Sequence, residues 1–201
     1  MSALFHPLKV KKLVSETADA KSVYFDIPEN LKSTFEYLPG QYLTLNVKIN
    51  GEECRRAYSF SSSPITDSDP AVTIKKVDGG KFSTYVNEVL KEGDIIEVMP
   101  PMGKFTRITD LNAQNQYFMF AGGSGITPIM SIIKSVLKNE PKSIINLIYA
   151  NRNKESIIFN DLLNKMHSEN SDRLQIYHSL DQAEPGFSGN TGFLSANLID
   201  S

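Results

Sequence analysis

In the first half of the chain, apolar and polar positions alternate with a period of two over short runs rich in β-branched and aromatic residues. These are LKVKKLV at 8–14, SVYFDI at 22–27, YLTLNVKI at 42–49, AVTIKKV at 71–77 and IIEVM at 95–99. Such alternation marks strands with one face buried. Turn-forming clusters separate them at Pro28-Glu29-Asn30, Pro39-Gly40, Asn50-Gly51 and Asp78-Gly79-Gly80. An Asn-Gly pair between two alternating runs predicts a tight hairpin, and several short strands at this spacing predict a small barrel or sandwich. One helix interrupts them, beginning near Ser83, a candidate N-cap for TYVNEVL.

Beyond Phe105 the pattern changes. YFMFAG at 117–122 is an apolar run suited to a strand buried on both faces. After GGSGITP, the segment IMSIIKSVLKNE repeats apolar residues at helical spacing through Ile129, Met130, Ile133, Val136 and Leu137, with Pro128 suited to the first turn. SIINLIYA at 143–150, a second helix near SIIFNDLLNKMH at 156–167 and LQIYHSL at 174–180 follow. Alternating strand and helix predicts a parallel, doubly wound sheet. The polar, unpatterned stretch near 106–115 divides the chain into expected domains 1–108 and 109–201, with no internal repeat.

Composition narrows the function classes. Hydrophobic residues at 40% and charged residues at 22% are ordinary for a folded globular protein, and a formal net charge of −2 with dispersed lysines lacks the basic footprint of a nucleic-acid binder. No run approaches the length of a membrane span. The single cysteine, Cys54, cannot form an internal disulfide or hold an iron–sulfur cluster, and His6, His167 and His178 lack metal-ligand spacing. A cytoplasmic protein with no metal, nucleic-acid or membrane partner is the expectation.

Three constellations carry candidate chemistry. In Arg56-Ala57-Tyr58-Ser59, an arginine suits a pyrophosphate, an aromatic two residues on shares its strand face and can cover a ring, and a serine can bond a ring nitrogen. Taken alone, Arg56 reads as well as a solvated strand-edge charge and Tyr58 as a packed aromatic. Gly79-Gly80-Lys81-Phe82-Ser83 precedes the helix of the β half, so free N–H groups and the Ser83 hydroxyl suit an anionic phosphate; the plain alternative is a glycine turn with a serine cap. Gly122-Gly123-Ser124-Gly125-Ile126-Thr127-Pro128 joins strand to helix where dinucleotides are held in parallel sheets, although it departs from GxGxxG and glycine turns also have structural uses.

RAYSFSSSP, GGKFSTYV, PPMGKF, AGGSGITPIM and YANRNKESIIF stand in the order and spacing of the ferredoxin–NADP reductase family, which the sequence resembles over essentially its whole length. FHPLKV, LPGQYLTL, Arg55-Arg56, EVMPPMGKF and the YANR run make it most similar to reductase components of oxygenases that epoxidise an aromatic acyl-CoA. The resemblance implies an antiparallel six-stranded FAD-binding barrel followed by a truncated doubly wound nicotinamide-dinucleotide domain, and an NAD(P)H-dependent FAD oxidoreductase. It gives Arg56 the FAD pyrophosphate, stacks Tyr58 on the flavin ring and sets Ser59 near the atom where hydride arrives. It runs Lys75, Lys76 and Val77 along the cofactor by backbone contacts and closes Gly80, Lys81, Phe82 and Ser83 over its phosphates. Gly122, Gly123, Gly125 and Thr127 would meet the nicotinamide dinucleotide, Thr127 nearest the nicotinamide, with Asn151 and Arg152 in the same cleft. The implied catalytic residues are Ser59, Tyr58 and Thr127.

The family pattern continues past three strands of the second domain into a Cys-Gly-Pro strand absent from this sequence, whose last residues are Leu198-Ile199-Asp200-Ser201. The expectation is therefore the front part of a longer polypeptide, with any [2Fe-2S] centre in a downstream ferredoxin domain and an oxygenase component as further acceptor. Where NADPH users carry an arginine after the third strand, this chain has Asp181-Gln182-Ala183-Glu184, which points to NADH; Arg152 is the alternative partner for a 2′-phosphate. Three rivals stand beside this reading. They are a flavohaemoglobin or flavin-reductase module with another acceptor, an FAD-holding conduit that never meets nicotinamide, and a purely structural barrel.

Overall fold

The structure, a computed structural model, describes residues 5–192. The first half forms β1 (His6–Thr17), β2 (Ala20–Asp26), β3 (Tyr42–Ile49), β4 (Glu52–Ser59), β5 (Ala71–Lys75) and β6 (Ile95–Val98). They make one antiparallel sheet in the order β4-β3-β6-β1-β2-β5. Its outer strands meet through a bridge between Phe60 and Val72 and a bond from the Ser61 N–H to the Ala71 carbonyl at 2.9 Å, which closes the sheet into a barrel. Alternation decides what lies inside: Leu8, Val10, Val23, Phe25, Leu45, Ile74, Ile96 and Val98 are fully buried, each such burial worth about 1.5–3 kcal/mol. Asn50 and Gly51 take φ of 52° and 83° between the paired Ile49 and Glu52, as a two-residue hairpin turn requires.

The helix of the barrel half, α1 (Lys81–Glu88), starts earlier than expected. Its N-cap is Gly80, not Ser83. The Ser83 hydroxyl instead accepts the Val77 N–H and donates to the Gly80 carbonyl, both at 3.2 Å, tying the first turn to the strand end before it. Phe82 and Val86, four residues apart, anchor α1 in the barrel core.

The second half runs β7 (Gln116–Gly122), α2 (Ile126–Asn139), β8 (Ile144–Asn151), α3 (Asn160–Glu169), β9 (Leu174–Leu180) and β10 (Asn190–Thr191). Its strands are parallel in the order β10-β9-β8-β7. A fourth strand thus joins the three read from the sequence; the terminal Leu198-Ile199-Asp200-Ser201 lies outside the described residues. Both helices share one face, where Met130 and Ile133 of α2 and Leu163 of α3 pack with Met119, Leu147, Tyr149 and Leu174. This follows from successive crossovers of one hand stepping in one direction along the sheet. The other face leaves Phe118 and Phe120 at 61% and 42% exposed, so β7 is buried on one face only, contrary to the two-sided burial its apolar run predicts. The segment between the halves is anchored rather than loose, by bonds from the Tyr42 N–H to the Met102 carbonyl and from the Arg107 N–H to the Pro39 carbonyl.

Candidate functional site

A cleft of about 450 Å³ lies where the two halves meet. The barrel contributes Arg56, Ala57, Tyr58 and Ser59 from β4, Thr73 and Lys75 from β5, then Val77, Gly80, Lys81, Phe82 and Ser83; Ser124, Gly125, Thr127 and Pro128 face them from the turn into α2. All three sequence constellations therefore converge on one surface.

On the barrel side, β4 is an outer strand of the sheet, ladder-paired to β3 over its length and meeting β5 only where the barrel closes just beyond Ser59. The Arg56 guanidinium makes one side-chain hydrogen bond among the described residues, to the adjacent Arg55 carbonyl at 2.7 Å, which leaves its charge free for an anion. Tyr58, on the same strand face, sets its ring 5.4 Å from the Phe82 ring. Burial pushes the Tyr58 hydroxyl up to about 12, against a smaller pull downward from Arg56, so the ring is neutral near pH 7. No side chain caps α1, whose first N–H groups open toward the same surface. A Cβ on Gly80 would stand 2.5 Å from Val77 Cγ2 and 2.6 Å from Ser83 Oγ, so glycine alone permits this approach of loop and helix.

Across the cleft, β7 ends at Gly122 and a short turn, Gly123–Gly125, leads into α2, also without a side-chain cap. Gly123 adopts φ 48°. A Cβ on Gly122, Gly123 or Gly125 would meet nothing within 4 Å among the described residues, so these glycines keep open a space that side chains would fill. The residues fit an extended dinucleotide with a pyrophosphate: a free guanidinium and helix start on one side, a flat neutral ring between, and a bare glycine turn opposite.

Other expected residues sit apart from this cleft. Lys76, one residue out of phase with Thr73 and Lys75, turns away to pair with Glu88 at 2.5 Å. Gly122 and Gly123 precede the cleft-lining Ser124 and Gly125 without lining the cleft themselves, and Asn151 and Arg152 at the end of β8 and Asp181 after β9 are not among its lining residues. Asn151 is buried, and neither of its amide atoms has a hydrogen-bond partner among the described residues. The Arg152 Nε donates to Gln182 Oε1 at 3.2 Å, and the Asp181 N–H donates to the Asn151 carbonyl at 3.0 Å. Sequence reading missed Ala57, Thr73, Ser124 and Pro128, although Thr73 shares strand parity with Lys75 and the others lie inside the quoted motifs. It also missed Tyr149, fully buried, whose hydroxyl donates to the Gly123 carbonyl at 3.0 Å and braces the glycine turn.

Comparison with known proteins gives this geometry its context. Residues 6–107 match the family model of the oxidoreductase FAD-binding domain and residues 119–201 that of the oxidoreductase NAD-binding domain. A component of the 1,2-phenylacetyl-CoA epoxidase of Escherichia coli is 40% identical, across 86% of this chain and 48% of its own. The ferredoxin reductase component of the Rhodococcus rhodochrous 3-ketosteroid-9-alpha-monooxygenase is 37% identical, across 88% of this chain and 50% of its own. The chain thus spans about half the length of these curated relatives. The cytochrome b5 reductase domain of Ulva prolifera nitrate reductase shares the fold, with a TM-score of 0.84 and 23% identity over 98% of this chain and 81% of that one. With an FAD-binding domain model matched across its barrel and an NAD-binding domain model across its parallel sheet, this chain belongs to the ferredoxin reductase-like oxidoreductases.

Proposed function

We propose that this chain is the nicotinamide-oxidising part of an oxygenase reductase, drawing on NADH and serving an iron–sulfur acceptor. The observation that carries the reading is the single cleft shared by Arg56, Tyr58 and Ser59 of the barrel, Gly125 of the turn before α2 and Thr127 of α2. FAD, when bound, would supply the hydride-accepting and single-electron-donating chemistry. In this reading the chain's residues position and shield. Arg56, Lys81 and the start of α1 hold the pyrophosphate, Tyr58 covers one face of the flavin ring, and Ser59 and Thr127 flank the reacting edge. Gly122, Gly123 and Gly125 admit the nicotinamide dinucleotide.

The domains are taken as 1–108 and 109–201, with Asp181 disfavouring a 2′-phosphate. Likeness to the epoxidase component supports oxygenase and ferredoxin-type partners, a [2Fe-2S] centre outside these residues and an aromatic acyl-CoA as the final substrate, and the single cysteine with no apolar run of membrane-spanning length supports a cytoplasmic location. Anaerobic titration of the full-length flavoprotein with NADH and with NADPH tests the reading. Bleaching of the visible flavin band by NADH at lower concentration is expected. Failure of both nucleotides would overturn it, and a preference for NADPH would reverse the role given to Asp181.

A further inference from the structure

Behind the cleft, the halves are joined by a buried seam of hydroxyls. Thr127, Ser131 and Ser135 recur every four residues along one face of α2, all buried, and segment 61–63, which follows Ser59, opposes them with three buried serines. The Ser131 hydroxyl donates to the Ser62 carbonyl at 2.6 Å. The Ser135 hydroxyl donates to the Ser131 carbonyl at 2.7 Å, so in its 2.7 Å contact with Ser63 it is the acceptor and Ser63 the donor. The serines of the segment are themselves held: the Ser62 hydroxyl accepts the Ala71 N–H at 2.8 Å and the Ser63 N–H donates to Asp67 at 2.7 Å. Lys134 closes the edge of the seam on Asp67 at 3.1 Å.

We propose that this seam is the positioning device of the reaction, with Ser131 and Ser135 registering α2 against segment 61–63 so that Thr127 stays opposite Ser59. The inference rests on the function proposed above. Small apolar side chains would let a helix slide or turn on its neighbour, whereas directional bonds lose their geometry within a fraction of an ångström. Every donor in the seam has an acceptor in one arrangement, so the interface specifies a single register. Such precision matters here, because a displacement of about 1 Å at reacting atoms can cost about 100-fold in rate.

The test uses Ser131→Ala and Ser135→Ala in the FAD-loaded full-length protein, with Ser143→Ala, a buried hydroxyl on Glu140 away from the seam, as control. Amide exchange at 59–63 and 126–131 should quicken about tenfold, and the limiting rate of flavin bleaching at saturating NADH should fall about 10- to 100-fold, with KM and FAD content within about twofold. Lys134→Met, which leaves the buried bonds intact, should lower the rate less and in the same direction, and keeps the test alive if the serine variants fail to fold. An unchanged limiting rate in Lys134→Met and in any serine variant that folds, or an equal fall in Ser143→Ala, would overturn the seam's role while wild type still bleaches. Wild-type protein that NADH cannot bleach would overturn the proposed function and the seam's role with it.

Discussion

The Arg107 guanidinium donates to the buried Glu140 carboxylate at 3.0 Å, linking the segment between the halves to the end of α2. Glu140 also accepts from Ser143 at 2.7 Å and from the Tyr117 hydroxyl at 2.8 Å. Burial by itself would raise this carboxyl; the bonds from Ser143, Tyr117, Arg107 and the Asp110 N–H outweigh it and hold the group below its ordinary 4.5. A depressed carboxyl contributes stability that is present above pH 4.5 and lost as the pH falls through the folded value. Glu140→Gln should therefore lower stability at neutral pH by about 2 kcal/mol, by weakening the bonds to its donors, and should flatten the acid limb of the stability curve. Calorimetry across the pH range reads both, and an unaltered acid limb would assign it to other groups.

His178 gives a separate step. Burial lowers its pKa from 6.5, and its buried Nδ1 has no partner among the described residues. The unfolded chain takes up the proton first, so stability falls as the pH drops below 6.5. His178→Gln should remove this shallow step and leave the Glu140 step in place; persistence of the shallow step would exclude His178 as its source.

Arg56→Ala should leave the unfolding midpoint of the flavin-free protein unchanged, because the side chain bonds only its neighbour's carbonyl. FAD affinity should fall by about tenfold or more, the worth of a charge-assisted bond. Fluorescence titration with FAD measures this, and full retention of flavin would remove Arg56 from the pyrophosphate site.

Two glycines should respond in opposite ways. Gly80→Ala forces Val77 and Ser83 apart, so it should cost about 1–3 kcal/mol and lower FAD content by displacing α1. Gly125→Ala meets no neighbour, so stability should stay within about 0.5 kcal/mol while NADH binding weakens. Thermal melts paired with nucleotide titrations separate the two. Equal nucleotide affinity in Gly125→Ala would show that the open space is not a ligand's.

The face of the parallel sheet that no helix covers among the described residues, with Phe118, Phe120, Ile144 and Tyr177 exposed, should bind an apolar dye. Phe118→Lys with Phe120→Lys should abolish the dye signal without loss of helical circular dichroism. A signal that survives the double change would locate the apolar surface elsewhere.

Much of this was written in local order. Period-two alternation announced the barrel strands, Asn50-Gly51 its hairpin, and the glycines at 122–125 the turn into α2, because each depends on residues adjacent in sequence. Arg56 and Tyr58 share a face through strand pleating alone. Tertiary structure decided the rest. Ser59 and Thr127 line one cleft only because α2 docks against segment 61–63, through hydroxyls that read locally as ordinary serines. Phe118 and Phe120 lie exposed because both helices cross the same face, a matter of chain handedness that no apolar run encodes. Ser83 serves as a tie to Val77 rather than as a cap because Gly80 already turns the chain. Spacing along the chain determines which side chains share a face, and only packing between distant elements determines what that face meets.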